Sequence, residues 1–271
     1  MLVLFITSAA VAQRVAILAP DDSEESKAYS LKLESAFGGK VRLVDRSLAK
    51  AAFDATSPAS PYNLSLDEAK HAGQAIGCDF FILVRSAVQR RSSFERDEYY
   101  DAYAFGFLVS SRTGRLIYQS ESRYLENTRN APLRKLDEGI PGTAEVLLDK
   151  MRSATRSELD EKPSPPMDEP PDEGSPAAKN FRPPVPFRRL KPEYTTLADQ
   201  YAVTATVDML VYLDAEGHVL RTEITRWAGY GLDGSVDNAI RSMNWRPAER
   251  DGKFIPMRFL VRYNFKKAAT H

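Results

Sequence analysis

The chain has 271 residues, and its 37 Lys and Arg balance its 37 Asp and Glu, so the formal net charge is zero. A neutral chain lacks the broad positive field that attracts nucleic acid or anionic lipid, which argues against both as partners. With one cysteine, Cys78, and three histidines, the sequence offers neither a disulfide framework nor a cysteine-based zinc site. We therefore expect no metal and no cofactor.

The first twelve residues are apolar and end in Ala10-Val11-Ala12, which is typical of a signal-peptide cleavage site. A membrane-spanning helix needs about 20 apolar residues, so this run is too short to cross a bilayer. The basic residues that usually precede such a run are missing. We interpret residues 1–12 as a signal peptide, in full or cut short by the choice of Met1. A first β-strand is the alternative.

Residues 14–157 alternate strand-like and helix-like patterns, which predict a three-layer α/β domain with a partly parallel sheet. Ser65 stands three residues before Glu68, a capping-box pattern that begins a helix. The predicted elements are, in chain order, a strand over 14–19, a helix over 23–37, a strand over 41–44, helices over 47–53 and 66–76, a strand over 80–84, a hairpin of strands 100–110 and 115–125, and a helix over 143–156.

Nucleotide binding is disfavoured by the turn that follows the first predicted strand. This turn, Pro20–Glu25, carries four acidic residues, which repel phosphate. The chain also contains no glycine-rich phosphate-binding loop and no G-x-S-x-G nucleophile motif. We expect no catalytic residues in this domain.

Two stretches of the same domain resemble a known family. They are Val41–Arg46, which reads VRLVDR, and Ala72–Leu83, which reads AGQAIGCDFFIL. Both are similar to the curli-secretion lipoprotein and TolB amino-terminal superfamily, although Cys78 stands where Ala is usual and Arg85 where Gly is usual. The resemblance implies a non-catalytic interaction domain. The same residues also fit an ordinary α/β core.

Residues 158–193 form a predicted linker, because ten of the 17 prolines lie between Pro163 and Pro192. The linker is split by charge: Glu158–Glu173 holds seven acids and one Lys, whereas Lys179–Lys191 holds five bases and no acid. Such a composition buries too little apolar surface to fold alone, and proline favours extended geometry. The sequence therefore predicts a semi-rigid spacer.

Residues 194–271 return to strong periodicity and predict a small α+β domain of ββαβ order. Strands over 204–213 and 219–226 flank the turn Asp214–Gly217, and a final strand alternates over 257–265. Between them lies one apolar helix face, formed by Leu232, Val236, Ala239, Ile240 and Met243.

This last domain resembles the TonB carboxy-terminal domain over about residues 192–267. The matching positions are Pro192-Glu193-Tyr194, Asp214, Gly217, Val219, Gly229–Asp233, Ala239, Trp245–Ala248, Asp251-Gly252 and Phe265. The chain departs from the family pattern at Thr195, Val203 and Arg246. The resemblance implies binding to an outer-membrane receptor, or to another envelope protein that presents an extended segment.

The final strand carries the predicted partner-binding site. At a sheet edge its free N–H and C=O groups can pair with an added strand. Arg258, Leu260, Arg262 and Asn264 alternate on its polar face, so we expect them to contact an acidic partner segment. Tyr230 is the fifth candidate, because two flanking glycines would hold it out where it could anchor a partner. Simple protection of the edge by charge is the alternative for the two arginines.

Together these features predict a non-enzymatic, exported protein of the periplasm. We expect an adaptor or accessory protein in TonB-type outer-membrane transport that binds a partner strand by β-augmentation. Any association with a membrane would come through partners or through an anchor upstream of Met1. One alternative is a true energy transducer whose inner-membrane anchor is missing from this start. The other is a hydrolase that uses the α/β domain.

Overall fold

The computed structural model describes residues 12–94, 96–161 and 165–267, so the predicted signal peptide lies outside the described residues apart from Ala12. The chain forms two compact units. The first comprises Met1–Ser57, Lys70–Arg112 and Ile117–Thr155, and the second comprises Pro58–Ala69, Thr113–Leu116 and Arg156–His271. Among the helices within the described ranges, none combines the length and the apolar character that a membrane span requires.

The first unit is built on a five-stranded mixed sheet. Its strands are β1 (Arg14–Leu18), β2 (Arg42–Leu43), β3 (Phe80–Ser93), β4 (Arg96–Ser110) and β5 (Leu116–Glu126). They lie in the order β2-β1-β3-β4-β5. β1 is parallel to both β2 and β3, whereas β3 and β4 are antiparallel. The prediction of a partly parallel sheet is confirmed.

Helices cover both faces of this sheet. They are α1 (Glu24–Phe37), α2 (Arg46–Ala55), α3 (Leu66–Ile76) and α4 (Asn130–Asp160). Of α3 and α4, residues 70–76 and 130–155 belong to the first unit. Leu33 of α1 and Leu147 of α4 lie in one buried cluster with Ile82 of β3. The neighbouring Phe81 instead meets Phe53 of α2, with ring centroids 6.4 Å apart. Because successive strand residues point to opposite faces, these contacts define the three predicted layers.

Two elements of the first unit are longer than the sequence predicts. β3 continues past Val84 to Ser93, because it pairs with β4 along this whole length although its later residues are mostly polar. α4 begins at Asn130 and contains Pro141. The apolar spacing around Ile140 packs its first half onto the core, which outweighs the local effect of the proline.

The second unit contains a three-stranded antiparallel sheet. Its elements are β6 (Phe181–Arg182), β7 (Val185–Pro186), α5 (Thr196–Gln200), β8 (Ala205–Leu213), β9 (Val219–Arg226), α6 (Leu232–Arg241), β10 (Trp245–Arg246), β11 (Ala248–Arg250), β12 (Lys253–Ile255) and β13 (Met257–Phe265). The sheet has the order β13-β8-β9. α6 packs against β8 and β9 through buried Val236 and Ile240. This is the predicted ββαβ arrangement.

The predicted linker is partly ordered against this unit. β6 pairs with β11, and β7 pairs with β10 through the partners Trp245↔Pro186 and Arg246↔Val185. The bond from Phe187 N–H to the Asn244 carbonyl, at 2.9 Å, continues the pairing. Proline fixes an extended backbone that suits a short edge strand. A composition that cannot fold alone can therefore still pair with strands of a folded neighbour.

The second unit also includes Pro58–Ala69, a segment that lies far ahead of the unit's main part, Arg156–His271, in the chain. Asn63 holds this segment. Its Nδ2 donates to the carbonyls of Thr206 (2.7 Å) and Trp227 (2.6 Å), and its Oδ1 accepts from the Thr206 N–H (2.8 Å). The second unit therefore combines segments that are far apart in the sequence. The predicted boundaries 14–157 and 194–271 stay a prediction.

Candidate partner-binding site

β13 lies at one edge of the three-stranded sheet, next to β8 alone among the named strands. Its Arg258 N–H points away from β8 and donates to the carbonyl of Asp168 at 2.8 Å. Backbone N–H and C=O groups alternate in direction along a strand. The outward set is therefore Arg258, Leu260, Arg262 and Asn264, the four residues that the sequence singled out.

A groove of about 410 Å³ runs beside this edge. Phe259, Val261 and Tyr263, on the α6-facing side of β13, form one wall together with Ile240, Met243 and Trp245. The opposite wall is formed by residues of the predicted linker, namely Pro184, Val185, Pro186, Arg189, Leu190 and Pro192. The walls are mostly apolar, and Arg189 and Arg262 are the arginines of the lining. The sequence did not predict that linker residues would form part of the site.

Leu260 and Asn264 stand on the face of β13 away from α6. Leu260 is 52% exposed, which is high for a leucine in a strand. The Asn264 side chain accepts a hydrogen bond from the Thr206 hydroxyl at 2.8 Å, across the strand pair. The backbone N–H and C=O groups of both residues point toward the open edge, where an added strand could form hydrogen bonds with them.

Arg262 is more engaged than its sequence position suggests. Its Nε and Nη2 contact the two carboxylate oxygens of Asp208 at 2.7 and 2.9 Å. The Asp208 side chain is only 8% exposed, and Arg226 Nε lies 3.5 Å from it. The hydrogen bond with Asp208 raises the pKa of Arg262. Arg262 thus neutralises a buried carboxylate in addition to lining the groove.

Arg258 is also paired, with residues that include part of the predicted linker. Its guanidinium forms an ion pair with Glu169, and hydrogen bonds to Tyr212 and Glu169 raise its pKa. Asp168 contacts Arg250 Nη1 at 2.9 Å. The acidic half of the linker therefore lies against the start of β13.

Tyr230 does not lie at the surface, which corrects the expectation that flanking glycines hold it out toward a partner. Its side chain is 2% exposed, and its ring centroid lies 6.4 Å from that of Tyr201. The Thr195 hydroxyl donates to the Tyr230 carbonyl at 2.6 Å and also caps α5. The turn conformation of this loop, with φ of 53° at Tyr230, directs the ring into the core.

The same loop is held by Asp233, whose carboxylate accepts from the N–H groups of Ala228 and Gly229 at 2.8 Å each. Burial raises the pKa of Asp233 to about 6, although both N–H bonds favour the charged form. The carboxylate fixes the loop that leads into α6. It has no nucleophile or second acid paired with it in these contacts, and we assign it a structural role.

One group of residues in the second unit has the side chains of a metal site. Asp214, Glu216 and His218 each place a ligand atom within 4.8 Å of the others. Their arrangement follows from the turn itself, because Asp214 Oδ1 accepts from the N–H groups of Glu216 (3.0 Å) and His218 (2.8 Å). We therefore interpret these residues as a turn, as the sequence predicts for Asp214.

Comparison with known proteins bears on the domain that contains this site. Residues 191–266 match the family model of the Gram-negative bacterial TonB protein C-terminal. This match confirms the TonB resemblance seen in the sequence. No curated protein gave a significant match. The resemblance of the first domain to the curli-secretion and TolB superfamily stays a prediction.

Several solved structures are similar to parts of the chain. The solution structure of the Pseudomonas aeruginosa TonB C-terminal domain shares 18% identity, covering 36% of this chain and 97% of that one, with a TM-score of 0.29. Lipoprotein GNA1162 from Neisseria meningitidis shares 12% identity, covering 51% and 99%, with a TM-score of 0.34. The LpoB C-terminal domain from Salmonella enterica shares 13%, covering 43% and 86%, with a TM-score of 0.28.

Proposed function

We propose that this protein is a non-enzymatic binding protein of the bacterial cell envelope. Its TonB-like domain takes up an extended segment of a partner by β-augmentation along β13. The proposal depends above all on one observation: the outward backbone groups of Leu260, Arg262 and Asn264 lie at a sheet edge, directly beside a groove of about 410 Å³.

The backbone of β13 and the groove beside it would contribute to binding in different ways. An added strand would form main-chain hydrogen bonds with β13, which supply affinity, while alternate side chains of that strand enter the groove, which supplies specificity. Apolar side chains fit between Phe259 and the opposite wall of linker residues. An acidic side chain suits the rim, where Arg189 stands.

We place the protein in the periplasm, as an adaptor or accessory in TonB-type outer-membrane transport. The match of residues 191–266 to a TonB carboxy-terminal family supports this role, because that family is Gram-negative. The partner in this proposal is an outer-membrane receptor or another envelope protein that presents an extended segment.

Site-specific photo-crosslinking in the native envelope tests the proposal. A photoreactive amino acid replaces Leu260 on β13 in one variant and Leu220 on β9 in the other. The two leucines are 52% and 57% exposed and lie on opposite edge strands, so they form a matched pair. We expect a discrete adduct from position 260 and none from position 220. Identical adducts from both positions, or none from position 260, would contradict binding at the β13 edge.

A further inference from the structure

The start of β13 is not open, because a short acidic segment of the same chain lies on it. Met167–Glu169 runs past Arg258, and the Asp168 carbonyl accepts the outward Arg258 N–H at 2.8 Å. This is the bond that an added strand would make at that position. Leu260, Arg262 and Asn264 follow along the same edge, next to the groove.

Two ion pairs add to this single backbone bond. Asp168 contacts Arg250 Nη1 at 2.9 Å, and Glu169 pairs with Arg258. The carboxylates are about three-fifths exposed, so water and salt screen both pairs and each contributes little. The segment is therefore held, but only weakly.

The sequence of the segment also limits how far it can pair. Pro166 and Pro170 flank Met167–Glu169, and proline has no N–H to donate to a ladder. The segment can therefore cover the first position of the edge without extending into a strand beside Leu260. A partner segment without proline has all its backbone N–H groups and can pair along the whole edge.

We propose that Met167–Glu169 is an internal competitor for the partner strand. This segment accepts the first outward N–H of β13, that of Arg258, and pairs with the side chains of Arg250 and Arg258. A partner that pairs along the whole strand must therefore displace it. The inference rests on the proposed function, and it adds the partner's chemistry: the displacing strand carries acidic residues at the Arg258 end, where Asp168 and Glu169 now lie, and apolar residues along the groove.

Fluorescence polarisation with a defined peptide tests this inference on the full chain. The probe is a labelled octapeptide of two acidic residues followed by alternating valine and threonine. A second probe is N-methylated at every peptide nitrogen, so that neither of its edges can donate to a ladder. The test variant is Asp168→Ala/Glu169→Ala. The control variant is Asp172→Ala/Glu173→Ala, which removes the same charge from the next part of the segment.

We expect the test variant to bind the octapeptide about five- to tenfold more tightly than the wild type, because the wild type binds only in the fraction of molecules whose edge is free. The control variant should bind as the wild type does, and the N-methylated probe should bind neither. Hydrogen exchange at the Arg258 amide should be slower in the wild type than in the test variant.

Other outcomes separate the two proposals. Equal affinity of the wild type and the test variant, with the N-methylated probe still excluded, would overturn the competitor while leaving β-augmentation in place. An equal gain in the control variant would show general charge repulsion and would also overturn it. Failure of the octapeptide to bind any variant, or equal binding of the N-methylated probe, would overturn the proposed function and this inference with it.

Discussion

Replacing Asn63 by alanine should destabilise the second unit, although Asn63 lies far from that unit's sheet in the sequence. β9 ends at Arg226, opposite Asp208, so no strand residue faces Thr206 on that side. The Asn63 side chain takes this place. Asn63 is only 9% exposed. Its side chain forms hydrogen bonds with the N–H and carbonyl of Thr206 and with the carbonyl of Trp227.

The expected loss follows from these three hydrogen bonds. At a net contribution of about 1 kcal/mol each, with buried backbone groups left unpaired, the free energy of unfolding should fall by about 2–4 kcal/mol. For a unit of this size that corresponds to a drop in melting temperature of roughly 6–15 °C. Asn63→Asp keeps the acceptor but turns a carboxylate toward two carbonyl oxygens, so it should be no milder.

Urea unfolding followed by tryptophan fluorescence measures this change directly. The chain has two tryptophans, Trp227 and Trp245, and both belong to the second unit. Asn238→Ala, at an exposed position of α6, is the matched control and should change stability by less than about 0.5 kcal/mol. If Asn63→Ala proves as mild as this control, the three hydrogen bonds of Asn63 do not stabilise the second unit.

Three further predictions follow from the side-chain contacts. Arg262→Glu should lower the melting temperature more than Arg258→Glu, because it sets a like charge against the buried carboxylate of Asp208; equal shifts in a thermal scan would argue against that role. The folded pKa of Asp233, about 6, exceeds its unfolded value of 3.8, so its contribution is fully present below about pH 4 and is lost as the pH rises through 6. Urea titrations should show the stability difference between wild type and Asp233→Asn falling by about 1–3 kcal/mol across that range, and a flat difference would be inconsistent with the raised pKa. Burial raises the pKa of Cys78 to about 11, so a thiol reagent at pH 8 should label it only after unfolding, and rapid labelling of native protein would contradict its burial.

Local patterns in the sequence were sufficient to predict most of the elements. The capping box at Ser65 is confirmed, because Ser65 N–H donates to Glu68 Oε2 at 2.7 Å and Glu68 N–H donates to Ser65 Oγ at 3.2 Å. Alternation over 257–265 likewise predicted the two faces of β13. Such patterns succeed because capping and amphipathicity depend on residues a few positions apart.

Features that depend on distant residues could not be predicted in this way. The bonds of Asn63 join positions 143 and 164 residues apart, and they involve backbone groups that every sequence contains. The ordering of Val185 and Pro186 requires β10 as a partner. The prediction that Tyr230 faces a partner is wrong, because the flanking glycines do not set the direction of its side chain, whereas its contacts in the core do.

The pairing of Arg262 with Asp208 could have been predicted in part, although the two residues are distant in the sequence. Both residues belong to strands that the sequence predicted, and an antiparallel register places them opposite each other. A correct register would therefore have identified the pair. The alternation alone showed Arg262 as an outward cation, without its buried partner.

Hydrogen exchange of the β13 amides, measured with and without the acidic octapeptide, shows whether a partner strand adds to this edge. With the peptide bound, we expect slower exchange at Leu260, Arg262 and Asn264, whose N–H groups face the open edge. The alternate amides of Phe259 and Val261, which face β8, should change little. Uniform protection along the strand, or protection confined to α6 with none at the outward amides, would contradict strand addition at this edge.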